Sequence, residues 1–174
     1  MAGSVRIGIS GWSYRGWRGK FYPRGLAAKH ELAYAATHFR SIEINSTFYR
    51  LQRPENFAVW RDRTPDDFVF AVKGSRYITH LLRLKDAGDA MANFFASGVL
   101  RLGPKLGPIL WQFPPQMRFD AERFHNFLTA LPRDQSAAAT LARRHDGRVK
   151  GRAWTRSEGP LPLRHAVEIR HDSF

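Results

Sequence analysis

A TIM-type (β/α) barrel, cut short at about five βα units, is the architecture that the order and patterning of this chain predict. Three features carry the expectation. Short β-rich runs alternate with helical patterns, the runs are spaced as βα units of a parallel sheet are, and the two faces of successive strands differ in the same way each time.

The first run is Val5–Ser10, followed by Leu32, Ala36 and Phe39 at helical spacing. Ser41–Asn45 comes next, then Phe57 and Trp60 behind Pro54, then the run Phe68–Lys73. Met91, Phe94, Phe95 and Leu102 form the next helical set and lead to Pro108–Phe113. Phe124, Phe127, Leu128 and Leu131 follow Asp120, a residue type suited to capping a helix N-terminus. The last run, Ala166–Arg170, is delayed by a basic helix-plus-loop insertion over residues 134–164. That insertion holds an Ala-rich helical stretch, Ser136–Arg144, and a Gly/Arg-rich loop.

Side chains along a strand alternate between faces. Ile42 and Ile44 therefore oppose Glu43 and Asn45, and Phe68, Phe70 and Val72 oppose Lys73. Ile109, Trp111 and Phe113 oppose Gln112, and Val167 and Ile169 oppose Glu168 and Arg170. A doubly wound sheet buries both faces under helices and tolerates such a polar row poorly. A (β/α) barrel turns the row inward, with its polar ends at the C-terminal mouth.

The 174 residues suffice for one globular core and are read as one incomplete domain over 1–174. With no cysteine, disulfides, thiolate metal sites and cysteine nucleophiles are excluded. No run approaches the roughly 20 apolar residues that span a bilayer. No membrane partner is expected, and with no signal-like start the expected location is the cytoplasm. The 28 basic residues exceed the 15 acidic ones to give +13, with the excess in the first 50 and last 39 residues, so an anionic ligand or a nucleic acid is the class of partner to test.

Several motifs resemble the YecE-like family, domain of unknown function 72. They are Gly11-Trp12-Ser13-Tyr14 with Trp17, Gly19 and Phe21-Tyr22-Pro23; Glu43-Ile44-Asn45-Ser46-Thr47-Phe48-Tyr49-Arg50; Trp60; Thr64-Pro65-Asp66-Asp67-Phe68 with Lys73; Gln112-Phe113-Pro114-Pro115; and Glu168-Ile169-Arg170-His171-Asp172-Ser173. The resemblance covers the N-terminal two-thirds of the family pattern. It implies the same barrel and no assigned activity. A full barrel takes about 250 residues and eight strands, so five strands read as a truncated chain whose last strand offers an open edge for self-association.

The candidate catalytic groups are Glu43, Glu168 and Lys73. Two carboxylates at one mouth can divide acid and base roles. They can also hold a divalent metal, with His80 or His171 as nitrogen ligands. Lys73 can also serve as a charge or an amine nucleophile. Substrate binding falls to Asn45, Gln112 and Arg170 at the strand ends, to Trp12 and Tyr14 in the first loop, and to Tyr49 and Arg50 in the second motif. The alternative for the charged residues is that Glu43–Lys73 and Glu168–Arg170 are ion pairs filling the barrel. Functionally, three readings stay open: an acid/base or metal-assisted hydrolase of an anionic, phosphoester or nucleic-acid-derived substrate; a non-catalytic nucleic-acid-binding module; and an inactive fragment.

Overall fold

The computed structural model describes residues 5–174. Its frame is a five-stranded parallel sheet in the order β1 (Gly8–Ser10), β2 (Ser41–Ile44), β3 (Val69–Lys73), β4 (Leu106–Gln112) and β5 (His165–Glu168). Each strand pairs with its neighbour in sequence, and β1 and β5 are the edges of an open sheet. The connections carry α1 (Glu31–His38), α2 (Ser46–Tyr49), α3 (Pro54–Asp62), α4 (Gly88–Ala96), α5 (Ala121–Ala130) and α6 (Gln135–Ala142).

One face of the sheet forms the core. Ile42, Ile44, Phe70, Val72, Ile109 and Trp111 are all fully buried beneath the helices. Trp111 packs against Phe94 of α4 and Phe127 of α5, with ring centres 5.5 and 5.4 Å away. Its indole N–H donates to Nδ1 of His165 at 3.1 Å, so the other ring nitrogen carries the proton and donates to the Pro132 carbonyl at 2.8 Å. Two of the helices are capped by side chains at their starts. Asp120 and Asp134 accept from the backbone N–H groups of Arg123 and Ala137 at the starts of α5 and α6, as the sequence predicts for Asp120. At the end of α3 the buried Lys105 ammonium donates to the carbonyls of Arg61 and Thr64, both at 2.7 Å, neutralising the negative end of the helix.

The expected runs Ser41–Asn45, Phe68–Lys73 and Pro108–Phe113 are realised as Ser41–Ile44, Val69–Lys73 and Leu106–Gln112, and three further boundaries shift for identifiable reasons. The first strand begins at Gly8, not Val5, because its pairing starts at Gly8 opposite Ser41; a side chain at Gly8 would meet the Ser41 carbonyl oxygen at 2.4 Å. β5 ends at Glu168, not Arg170. The Phe113 N–H still donates to the Glu168 carbonyl at 2.9 Å, but Pro115, two residues on, has no N–H to continue the ladder. Leu102 does not belong to the helix of Met91, Phe94 and Phe95, because α4 stops before Gly98. That glycine has φ +113°, and a side chain on it would meet the Pro54 backbone at 2.4 Å. Segment 134–164 is packed down: α6 buries Ala138, Ala139 and Ala142, and the Trp154 backbone N–H donates to the Ala96 carbonyl at 2.8 Å.

Candidate active site

Because all five strands run parallel, their C-terminal ends lie on one edge of the sheet, where chain geometry collects loops. Ser10, Glu43, Lys73, Gln112 and Glu168 sit at those ends, one from each strand in turn. The register sets them into two hydrogen-bonded groups flanking β3. Ser10 lies opposite Glu43 and donates to its carboxylate at 2.9 Å, while the Asn45 amide donates to Ser10 Oγ at 2.7 Å. Gln112 lies opposite Glu168 and donates to its Oε2 at 2.7 Å, and Arg170 Nε donates to Oε1 at 2.6 Å.

These bonds fix the charge on Glu168. Burial pushes its carboxyl up, but the bonds from Gln112 and Arg170, with the positive charges of Arg170 and Lys73, outweigh that and hold it below the usual glutamic acid value. Lys73 stands over the Phe48 ring at 4.9 Å. His80 stacks edge-on against the same ring at 5.1 Å, and Thr79 Oγ1 lies 2.9 Å from its Nδ1. Burial, then the charges of Arg76, Arg170 and Lys73, lower the His80 pKa and favour the neutral imidazole.

Of the two expected ion pairs, Glu168–Arg170 forms, with side chains 36% and 45% exposed in this open sheet. Glu43–Lys73 does not form among the described residues, since Glu43 turns to Ser10 and Lys73 to Phe48. As for a divalent metal, no three His, Asp or Glu side chains among the described residues come close enough to hold one. His171 instead accepts the Ser173 backbone N–H at 3.1 Å in a local turn.

The first loop builds a second, apolar part of the edge. Gly11, Trp12, Ser13 and Tyr14 face Asn45, Ser46 and Tyr49 across a pocket of about 290 Å³. Trp12 packs edge-on against Trp60 at 5.4 Å, and the Tyr14 hydroxyl donates to the Ser10 carbonyl. Tyr14 and Tyr49 stay exposed, at 40% and 68%. Phe21 and Tyr22 are not part of the pocket. Tyr22 is buried and donates to the Trp12 carbonyl, and Phe21 packs against Tyr34, so both support the loop from behind. Arg50 also lies outside this pocket.

Sequence reasoning does not single out Glu31, which the fold makes central to this loop. Its carboxylate is fully buried and accepts from Ser13 Oγ at 3.0 Å and Arg18 Nε at 2.7 Å, tying both sides of the loop to the start of α1. Burial, and then the Glu31 charge, push the Tyr22 hydroxyl up to about 12. In sequence Glu31 reads only as an acidic residue in the first turn of a helix. Ser10 has no signal of its own either, since only the register brings it to Glu43.

Fold and site together define an α/β protein whose parallel strands end in a polar edge beside an aromatic pocket. The family model described as "Protein of unknown function DUF72" matches residues 6–174, and the chain belongs to that family. It is 32% identical over 129 residues to the UPF0759 protein YecE of Escherichia coli K12, a match covering 74% of this chain and 44% of YecE. It is 31% identical over 116 residues to the UPF0759 protein YunF of Bacillus subtilis 168, covering 64% of this chain and 40% of YunF. The chain thus spans less than half the length of these relatives. Among solved structures, a DUF72 family protein of Thermotoga maritima MSB8 superposes with TM-score 0.66 at 28% identity, over 97% of this chain and 56% of that one. A DUF72 family protein of Enterococcus faecalis V583 shares the fold at TM-score 0.56 and 21% identity. In the described residues, no helix is long and apolar enough to cross a membrane.

Proposed function

We propose that this chain carries the acid/base half-site of a hydrolase for an anionic phosphoester, and that its sheet is the five-strand part of a (β/α) barrel. The sequential, all-parallel strand order supports the barrel reading, since it is the order of neighbouring strands around such a barrel. One observation carries the chemical reading: Glu168 is held as a carboxylate by Gln112 and Arg170, next to the free charge of Lys73.

An ionised carboxylate among cations is suited to take a proton from water while the cations hold an anion. In the proposed step Glu168 removes the proton from a water whose oxygen attacks phosphorus. The P–O bond to the leaving group breaks, and the departing oxygen takes its proton from solvent, with the Glu43–Ser10–Asn45 group lining the adjacent strand ends. Lys73 and the guanidinium nitrogens of Arg170 not used by Glu168 stand against the phosphoryl charge. Trp12, Tyr14 and Tyr49, with Asn45 at the pocket wall, hold the non-reacting part of the substrate.

The test is turnover of a chromogenic phosphodiester, bis(4-nitrophenyl) phosphate, by the 174-residue chain. Glu168→Gln removes the base and its charge; its amide oxygen can still accept from Arg170, and its NH2 can donate to Gln112 once that amide turns its oxygen round. The expected loss is on the order of 10²–10⁴ in rate, the usual size of acid/base catalysis. Absence of turnover in the wild type, or full retention in Glu168→Gln, contradicts the reading.

A further inference from the structure

A second feature of the same molecule shares Tyr49 with the proposed substrate pocket but needs no chemistry at Glu168. Beside the aromatic pocket lies a cleft of about 370 Å³ whose walls bring Arg50 and Arg53, from the connection between α2 and α3, against Arg148, Lys150 and Arg152 of segment 134–164. No carboxylate lines it. Arg148 is engaged, with Asp146 at 3.7 Å and the Tyr77 ring 5.1 Å beneath its guanidinium. Arg50, Arg53, Lys150 and Arg152 have no acidic partner within 4 Å among the described residues. Five cations held around one concavity repel each other unless an anion joins them.

The neighbouring residue says what kind of anion. Tyr49, 68% exposed on the aromatic pocket, is joined directly to Arg50 in the cleft. An exposed aromatic face followed by a cationic cleft alternates as base and phosphate alternate along an unpaired strand. We propose that the cleft binds the phosphodiester backbone of a single-stranded nucleic acid, with a base stacked on Tyr49. A free phosphate would occupy the cleft and leave Tyr49 unused.

Fluorescence anisotropy with a labelled single-stranded DNA of ten nucleotides, titrated against salt, tests the assignment. Each phosphate deprived of its protein cation makes the slope of log affinity against log salt shallower by about 0.7 for a single strand. The double variant Arg53→Ala/Arg152→Ala should bind at least about tenfold more weakly, with a slope shallower by about 1.4. The control Arg133→Ala/Arg164→Ala removes the same charge; Arg164 directly precedes β5, at the opposite end of the sheet, and this variant should bind within about twofold of wild type. Both side chains of the test pair are exposed, and coincident thermal melts confirm that it folds. Affinity is read without turnover, so a wild type that binds the strand but does not turn over bis(4-nitrophenyl) phosphate fails only the catalytic reading, and one that turns it over but does not bind fails only this one. Equal losses in the two doubles, no binding at low salt, or competition by inorganic phosphate as strong as by the oligonucleotide would overturn the site. A duplex bound as tightly as the strand would overturn the single-strand assignment.

Discussion

The two faces of the sheet are drawn from the same four- to seven-residue strands in β2 to β5, yet they have opposite lives. On the helix side, Ile42, Ile44, Phe70, Val72, Ile109 and Trp111 expose nothing. On the other side, Glu43, Ala71, Lys73, Leu110 and Glu168 are all half-buried, and the row turns polar at the strand ends. Near the strand ends, a one-residue step moves from a buried apolar position to a half-buried polar or charged one. The helix-side row is apolar except for the Trp111 indole and His165, which satisfy each other and the Pro132 carbonyl. The other row satisfies its polar groups in pairs across the ladder, Ser10 with Glu43 and Gln112 with Glu168, and among the described residues Lys73 between them has the Phe48 ring and no carboxylate within 4 Å.

The sharpest way to break this contrast is to truncate neighbours on β3. Phe70→Ala should cost about 3–5 kcal/mol in urea unfolding, the usual effect of emptying a buried aromatic site. Lys73→Ala should cost about 1 kcal/mol or less, the loss of its stacking on Phe48, while phosphodiester turnover falls. Equal destabilisation by the two would erase the distinction between the rows. A smaller effect is expected at the support of the first loop. Glu31→Gln should cost about 1–2 kcal/mol, since one hydrogen bond to a buried charge is weakened while its partner Arg18 is half-exposed and screened.

Smaller again is the pH response of the helix side. Burial lowers the His165 pKa against the opposing Pro132 bond, and a proton on Nδ1 would face the Trp111 N–H. The unfolded chain takes up that proton at about pH 6.5, the folded chain only lower. The contribution is therefore complete above about pH 6.5 and is lost as pH falls through the window down to the folded value. The lowered His80 pKa acts in the same direction. His165→Gln, which can still accept from Trp111 and donate to Pro132, should flatten the decline in melting temperature below about pH 6.5; an unchanged slope would assign the effect elsewhere.

Much of this contrast was legible in residue order. Alternation at Ile42-Glu43-Ile44 and Ile109 to Gln112 places the polar row, and the runs between them place five parallel strands in order. The partners were not legible, because they depend on register and loop closure. Glu43 meets Ser10, 33 residues away, and not Lys73. Glu31 becomes a buried clamp only because the first loop folds back over α1. Arg50 reads as a member of the Tyr49 motif, but a turn after α2 sends it into a different cleft. Gly8, Gly98 and Pro115 set the boundaries that periodicity misplaced, through close backbone approaches and a missing donor that no pattern of hydrophobicity records.

The role proposed for Glu168 is that of a carboxylate base held ionised by its neighbours. The pH dependence of kcat/KM for phosphodiester turnover tests it most directly. An acid limb is expected with its midpoint below the ordinary glutamic acid value of about 4.3, moving upward in Gln112→Ala as one supporting bond disappears. A limb at or above that value in the wild type, or one that Gln112→Ala leaves in place, would contradict it.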